Sequence, residues 1–153
     1  MASLHDLFRA PKKGLPMEEL RQAQMLADFG LEGCAHARAG SDRQVLLVDR
    51  ETLDAMELQP GILRENITTN GLKVNSLQVG QRLRMGEALL EVTLVCPPCN
   101  QMERVRPGLR KELWGPPRHV VPCPRRRHPP RRRSHREAWR LTCRCTLEPS
   151  SPA

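Results

Sequence analysis

The 153-residue chain has no tyrosine, and its only aromatic rings are those of Phe8, Phe29, Trp114 and Trp139. A protein that binds nucleic acid by stacking bases on aromatic side chains uses more of them. Any core must be aliphatic, built from Leu, Val, Ile and Met. No run of 18 apolar residues occurs, which excludes a transmembrane helix. The opening MASLHDLFRAPKKG lacks an apolar stretch followed by a small-residue cleavage site, so no secretory signal is expected and a cytoplasmic location follows. Six cysteines in that setting read as free thiols, metal ligands or catalytic sulfur before they read as disulfides.

Net charge is missing from most of the chain. Residues 1–115 carry 15 Lys+Arg and 15 Asp+Glu, so the whole formal +8 resides in residues 116–153, with ten Arg against Glu137 and Glu148. That last stretch also lacks Lys, Asp, Asn, Ile, Phe, Met, Gln and Gly, yet holds eight of the 14 prolines. PRRRHPPRRRSHR (124–136) shows no apolar period of two or 3.6. Its Pro pairs oppose helix and its Arg runs repel one another. The expected organisation is a globular domain over 1–115 and a disordered or poorly packed tail over 116–153.

Short elements are legible in the first part. Val45 to Val48 reads as a buried strand, followed by a helical turn capped near Asp49. RENITT (64–69) has β-branched content and ends at the turn signal Asn70-Gly71. QRLRM (81–85) and ALLEVTLV (88–95) read as the arms of a hairpin turning at Gly86-Glu87. Glu103 to Trp114 is helix-like, with Pro107 at its start or kinking it. Short Gly-punctuated strands with few helices predict a mainly β, β-rich α+β fold of barrel type.

Four stretches carry a family resemblance: KGLPMEEL (13–20), GLEGCAHARAGSDRQVLL (30–47), PGILRENITTNGL (60–72) and VGQRLRMGEALLEVTLVCPPCNQMERVRPGL (79–109). In order and spacing they resemble the MOSC domain, the module named for the C-terminal part of molybdenum-cofactor sulfurases. The resemblance covers about three quarters of the chain, and the ENIT-x-x-GL and GEALLEV…PC elements are specific when found together. It implies a β-barrel that binds the molybdenum cofactor (molybdopterin) or molybdate, or that handles its sulfur. It also implies a pyridoxal-phosphate-dependent cysteine desulfurase as sulfur-delivering partner; pyridoxal phosphate would belong to that partner, since this chain is too short for such a domain. A sulfurtransferase or a component of a molybdenum-dependent reductase are the enzymatic roles this leaves open.

The family cysteine that carries sulfur or ligates molybdenum matches Cys99, second of Cys96-Pro97-Pro98-Cys99. Chemistry points the same way, because a thiolate is both a nucleophile and a soft metal ligand. Arg104, Arg106 and Arg110 follow closely in sequence and are expected to favour the thiolate or bind a cofactor phosphate or molybdate oxygens. Cys96 is either a bystander, half of a redox pair or half of a zinc site. His36 and Arg43 match recurring polar positions, and a role facing the ligand stands beside a purely local one for each. Arg64, Asn66 and Thr68 offer charge, amide and hydroxyl suited to a pterin or phosphate; a turn-closing Asn66 and an ordinary strand Thr68 are the alternatives. GLEGCAH departs from the family's GLEGD-x-H, placing Cys34 where an acidic residue is expected and leaving the loop's role open.

Beyond Gly115 the sequence diverges from the family's last segment, which resembles GRRGM(L)-x-RV(L)-x-GG-x-IRVGD. Codons can be assigned to Pro116–Arg132 such that dropping the first base yields RRGMLCRVLAGGIRRG in the neighbouring frame. A frameshift near codon 115 is therefore expected to have replaced the native C-terminus. A barrel without its last strand would have an open edge and marginal stability or activity. Two other functions compete: non-specific nucleic-acid binding by the Arg-rich tail, and a zinc-binding interaction module built on CPPC. Neither a specific nucleic-acid partner nor a membrane is expected.

Overall fold

The computed structural model describes residues 1–114, 121–124, 138–143 and 145–150. In chain order its elements are β1 (Ala2–Arg9), β2 (Glu18–Leu20), β3 (Gln22–Leu26), β4 (Gly30–Leu31), β5 (Leu47–Asp49), α1 (Arg50–Ala55), β6 (Ile67–Asn70), a 3-10 turn (Val74–Ser76), β7 (Arg82–Met85), β8 (Ala88–Cys96), α2 (Gln101–Val105), α3 (Leu109–Trp114), β9 (Val121–Pro124), β10 (Ala138–Thr142) and β11 (Thr146–Ser150). The main sheet runs β5-β6-β1-β11-β7-β8-β9, with β2 added to β1, and curls into a half-barrel. A smaller sheet is ordered β10-β3-β4. Strands pair antiparallel except β5 with β6.

The expected elements form for the anticipated reasons. Asp49 caps α1, its Oδ1 accepting from the Thr52 amide at 2.7 Å while Oδ2 accepts from the Val74 amide at 3.1 Å. β7 and β8 are a hairpin with Met85 opposite Ala88, leaving Gly86-Glu87 as a two-residue turn. Gly86 has φ +57°, the left-handed conformation that such turns require. The helix-like stretch before Trp114 is broken into α2 and α3 around Pro107, which removes a backbone donor.

β1 was not legible in advance. ASLHDLFR mixes two adjacent buried residues, Leu7 and Phe8, with charge, so it shows no simple alternation. It nevertheless holds the centre of the sheet, pairing with β2, β6 and β11. A register shift between Leu4 and Asp6 opposite β6 disrupts the period of two that a flat strand would show.

Where the sequence suggests an open edge, β11 lies between β1 and β7, β10 adds to β3, and β9 adds to β8. AWRLT and TLEPS escape the Pro-pair and Arg-run chemistry of the preceding stretch. Each delivers one leucine to the core: Leu141 is fully buried and Leu147 nearly so. These strands, all after residue 115, thus join the sheets. The Arg/Pro-rich 125–137 lies outside the described residues.

Two aliphatic clusters result. The larger fills the barrel with Leu4, Leu7, Leu31, Leu47, Ile67, Leu83, Met85, Leu141 and their neighbours. The smaller packs α1, α2 and α3 through Leu53, Met56, Leu63, Met102, Leu109 and Leu113. Arg106 ties the helices together, its Nη1 donating to the Met56 carbonyl at 2.8 Å. The candidate site lies where these clusters meet.

Candidate functional site

A cavity of about 500 Å³ opens between the barrel and the helical cluster. That volume lies within the range of small-ligand and cofactor sites. Val45, Leu46, Leu63, Met102 and Leu113 form its apolar walls. Among the described residues its lining includes the cations Lys13, Arg38, Arg43 and Arg64, as well as His36, Cys96 and Cys99, and no carboxylate. Low-dielectric walls strengthen the field of such charges, so the cleft favours an anion.

Arg64 is the most constrained of the cations. It sits at φ +64°, a left-handed conformation that costs an L-residue about 1–2 kcal/mol. The turn that imposes it is closed by its own amide donating to the Gly61 carbonyl at 3.0 Å. Nη1 donates to the Leu15 carbonyl at 2.7 Å, whereas Nη2 is buried with no protein partner. A guanidinium held in place by one nitrogen in the wall of a cleft suits an oxyanion.

Behind the cleft wall stands Asn66, fully buried. Its Oδ1 accepts from the Leu46 amide at 3.1 Å. Its Nδ2 donates to the Phe8 carbonyl at 3.2 Å and to Cys34 Sγ at 3.3 Å. Both amide hydrogens are thus committed inside the fold. Asn66 borders the cavity, and its polar atoms staple β1, the segment leading into β5, and the Cys34 loop together.

Cys34 also accepts from the Ala10 amide at 3.4 Å. Burial alone would raise this thiol, but hydrogen bonds from the His36 ring, from the Ala10 and His36 amides and from Asn66 bring it below its ordinary value, to about 7. Cys96 behaves oppositely. Burial pushes its thiol up, the neighbouring Arg43 charge draws it back, and Cys99 adds to the rise. Cys99 is exposed at the cleft, just before α2, its carbonyl accepting from the Met102 amide at 3.0 Å.

The structure therefore brings Cys99, His36, Arg43, Arg64 and Asn66 to one cavity. It does not bring Thr68, Arg104 or Arg106 to the cavity lining. Thr68 is fully buried in β6, between the equally buried Ile67 and Thr69, its hydroxyl near Glu65 Oε1 at 3.5 Å. Arg106 is held by the Met56 carbonyl and by Glu112 at 2.6 Å. Arg104 follows α2 away from the cleft lining. Arg110 donates to Asn100 Oδ1 at 2.6 Å. The cationic environment anticipated from the residues after Cys99 comes instead from Lys13, Arg38, Arg43 and Arg64. Lys13 and Arg38 escaped sequence reasoning, although both lie in the stretches that carry the resemblance.

Glu65 is fully buried next to Asn66. Burial pushes its carboxyl up, opposed by hydrogen bonds from Gly61 and other amides and from Thr68, and Oε2 has no partner. An acid whose folded value is raised binds its proton more tightly when native. Stability is therefore full below the unfolded value, about 4.3, and declines as pH rises through and above it. Glu65→Gln is expected to lose this decline. Urea denaturation of both proteins from acid to neutral pH checks it; parallel stability curves would contradict it.

Among the described residues no three His, Cys, Asp or Glu side chains gather as metal ligands. No helix among them is long and apolar enough to cross a membrane.

A half-barrel of mostly antiparallel strands around an aliphatic core, with a cationic thiol-bearing cleft against a small helical cluster, defines a β-rich domain. The chain belongs to the MOSC domain family, whose model matches residues 35–115. That family is associated with the molybdenum cofactor. Among solved structures, YiiM from Geobacillus stearothermophilus is similar with a TM-score of 0.74 at 14% identity, covering 99% of this chain and 76% of that one. The YuaD protein of Bacillus subtilis gives 0.69 at 18%, covering 96% and 94%, and YiiM from Escherichia coli 0.65 at 19%, covering 99% and 71%. At these identities the likeness is one of fold. No curated protein matches the chain.

Proposed function

We propose that the cleft receives the anionic molybdenum cofactor, or molybdate, and that Cys99 carries its sulfur or ligates its metal. The observation that carries this reading is the shared cavity: the exposed Cys99 and the cations Arg64, Arg43, Arg38 and Lys13 line the same space. The donor set suits the group. Arg64, Lys13, Arg38 and Arg43 match phosphate or oxo anions, and a thiolate matches molybdenum or sulfane sulfur. When bound, the cofactor would supply oxygen-atom or sulfur-transfer chemistry; the chain itself holds the anion and presents the thiol.

As a sulfur carrier, the Cys99 thiolate attacks the outer sulfur of a donor persulfide. A new sulfur–sulfur bond forms at Cys99, the donor's sulfur–sulfur bond breaks, and the donor cysteine leaves as thiolate. A pyridoxal-phosphate-dependent cysteine desulfurase is the partner that supplies such a persulfide. Molybdenum content and persulfide labelling of the wild type against Cys99→Ala test the reading.

The family domain is taken to occupy residues 1–115, with β10 and β11 beyond it adding to its sheets, and the Pro- and Arg-rich stretch from 116 to be the product of a displaced reading frame. Support comes from the charge and composition break at that point. The nucleotide sequence around codon 115 is expected to contain the family's last segment in the adjacent frame, and its absence there would overturn this.

A further inference from the structure

We propose that Cys34 is a positioning residue of the cleft, its sulfur acting as a buried thiolate that holds Asn66 and the His36 loop from behind. The inference rests on the cleft being the working site, but its test does not depend on what the cleft binds.

Geometry carries the argument. Cys34 is 7% exposed and does not line the cavity, yet its immediate neighbours Ala35 and His36 do. Its sulfur accepts from two fixed donors, the Ala10 amide at the end of β1 and Asn66 Nδ2. Asn66 in turn holds Leu46 and Phe8. Movement of that sulfur would therefore be felt by two cavity-lining segments, 43–46 and 64–66. Converging N–H donors stabilise an anion far more than a neutral thiol, which is only a weak acceptor. The lowering of the thiol to about 7 agrees with this.

The charged surroundings are few. Arg9 borders the same loop, its Nη1 3.1 Å from where a side chain on Gly33 would begin, and it is paired with Glu18 at 2.8 Å. The His36 ring is the other titratable neighbour within hydrogen-bonding reach. A carboxylate in place of the sulfur would accept the same two donors. A serine hydroxyl would remain neutral, and alanine would leave Asn66 Nδ2 short of a partner.

The full-length chain and its Cys34→Ser, Cys34→Asp and Cys34→Ala variants are compared by ultraviolet thiolate absorbance across pH. Subtracting Cys34→Ser from the wild type is expected to leave a one-thiol step centred near 7. NMR of the Asn66 side-chain amide is expected to move with the same step in the wild type. In Cys34→Asp that amide should keep its protection from solvent exchange but lose the step, and in Cys34→Ala the protection should fall at least tenfold. A thiol step at the ordinary cysteine value, about 8.5, would overturn the proposal. So would Asn66 protection equal in Cys34→Ala and the wild type. If the variants do not fold, the wild-type Asn66 amide alone decides, since it either shifts with a step near 7 or does not. Failure of Cys99 to take up sulfur or molybdenum would leave all of these readouts unchanged, which separates the two hypotheses.

Discussion

Cys99→Ala is expected to abolish persulfide labelling at the cleft and to lower retained molybdenum to background, with little change in stability. The thiol is exposed and makes no side-chain hydrogen bond among the described residues, so its removal there creates neither a cavity nor an orphaned buried group. The chemical effect should instead be complete. No hydroxyl or methyl group replaces a thiolate as nucleophile or soft ligand. Cys96→Ala is the control. Its thiol is partly buried and pushed up, mostly protonated at neutral pH, and should retain most of the label. Mass spectrometry of the labelled peptide separates the two sulfurs. Full labelling of Cys99→Ala, with the label on Cys96, would reverse the assignment.

Asn66→Ala is expected to destabilise the protein by about 3–5 kcal/mol, since each buried group left without its partner costs about 1–3 kcal/mol. The side chain makes three hydrogen bonds at zero exposure. Its loss leaves the Phe8 carbonyl and the Leu46 amide unpaired and strips a donor from Cys34. A domain's total stability is about 5–15 kcal/mol, so the variant should approach unfolding. Thr68→Val in the same strand should change stability little, because its hydroxyl makes one long contact at 3.5 Å. Urea denaturation of both checks the contrast. An Asn66→Ala protein of wild-type stability would mean that its amide faces the cleft, one of the two readings the sequence leaves open.

That pair of neighbours shows where sequence reasoning stops. RENITT marks a polar strand end beside the site. It does not say whether an amide there faces a ligand or closes the fold. The answer depends on Phe8, 58 positions earlier in the chain, and on Leu46, 20 positions earlier. The same holds for the arginines. Arg104 and Arg106 are close to Cys99 along the chain, but Arg106 is bound to Met56 and Glu112, while Lys13 and Arg38 arrive at the cleft from remote loops. Proximity in sequence is a poor guide to the surroundings of a thiol when the chain folds back on itself.

The GLEGCAH loop offers a further case. Cysteine there reads as a poor substitute for a carboxylate, unable to orient a neighbour. The structure gives the sulfur two N–H donors and the His36 ring within reach, an arrangement that suits a thiolate. A residue type read in isolation has its free-solution chemistry; the donors around it decide its charge.

By itself the sequence determined the local elements whose causes are local. The Asp49 cap, the Gly86-Glu87 hairpin and the break at Pro107 follow from hydrogen bonding and backbone sterics within a few residues. It also determined the family, because four motifs in order survive in the text of the chain. Tertiary structure alone decided the rest: that β1 is central despite its irregular pattern, that Leu141 and Leu147 enter the core, and that the cations facing Cys99 come from distant loops. Long-range contacts are set by which surfaces can be buried together, and that is a property of the assembled sheets and helices, invisible in any short window of sequence.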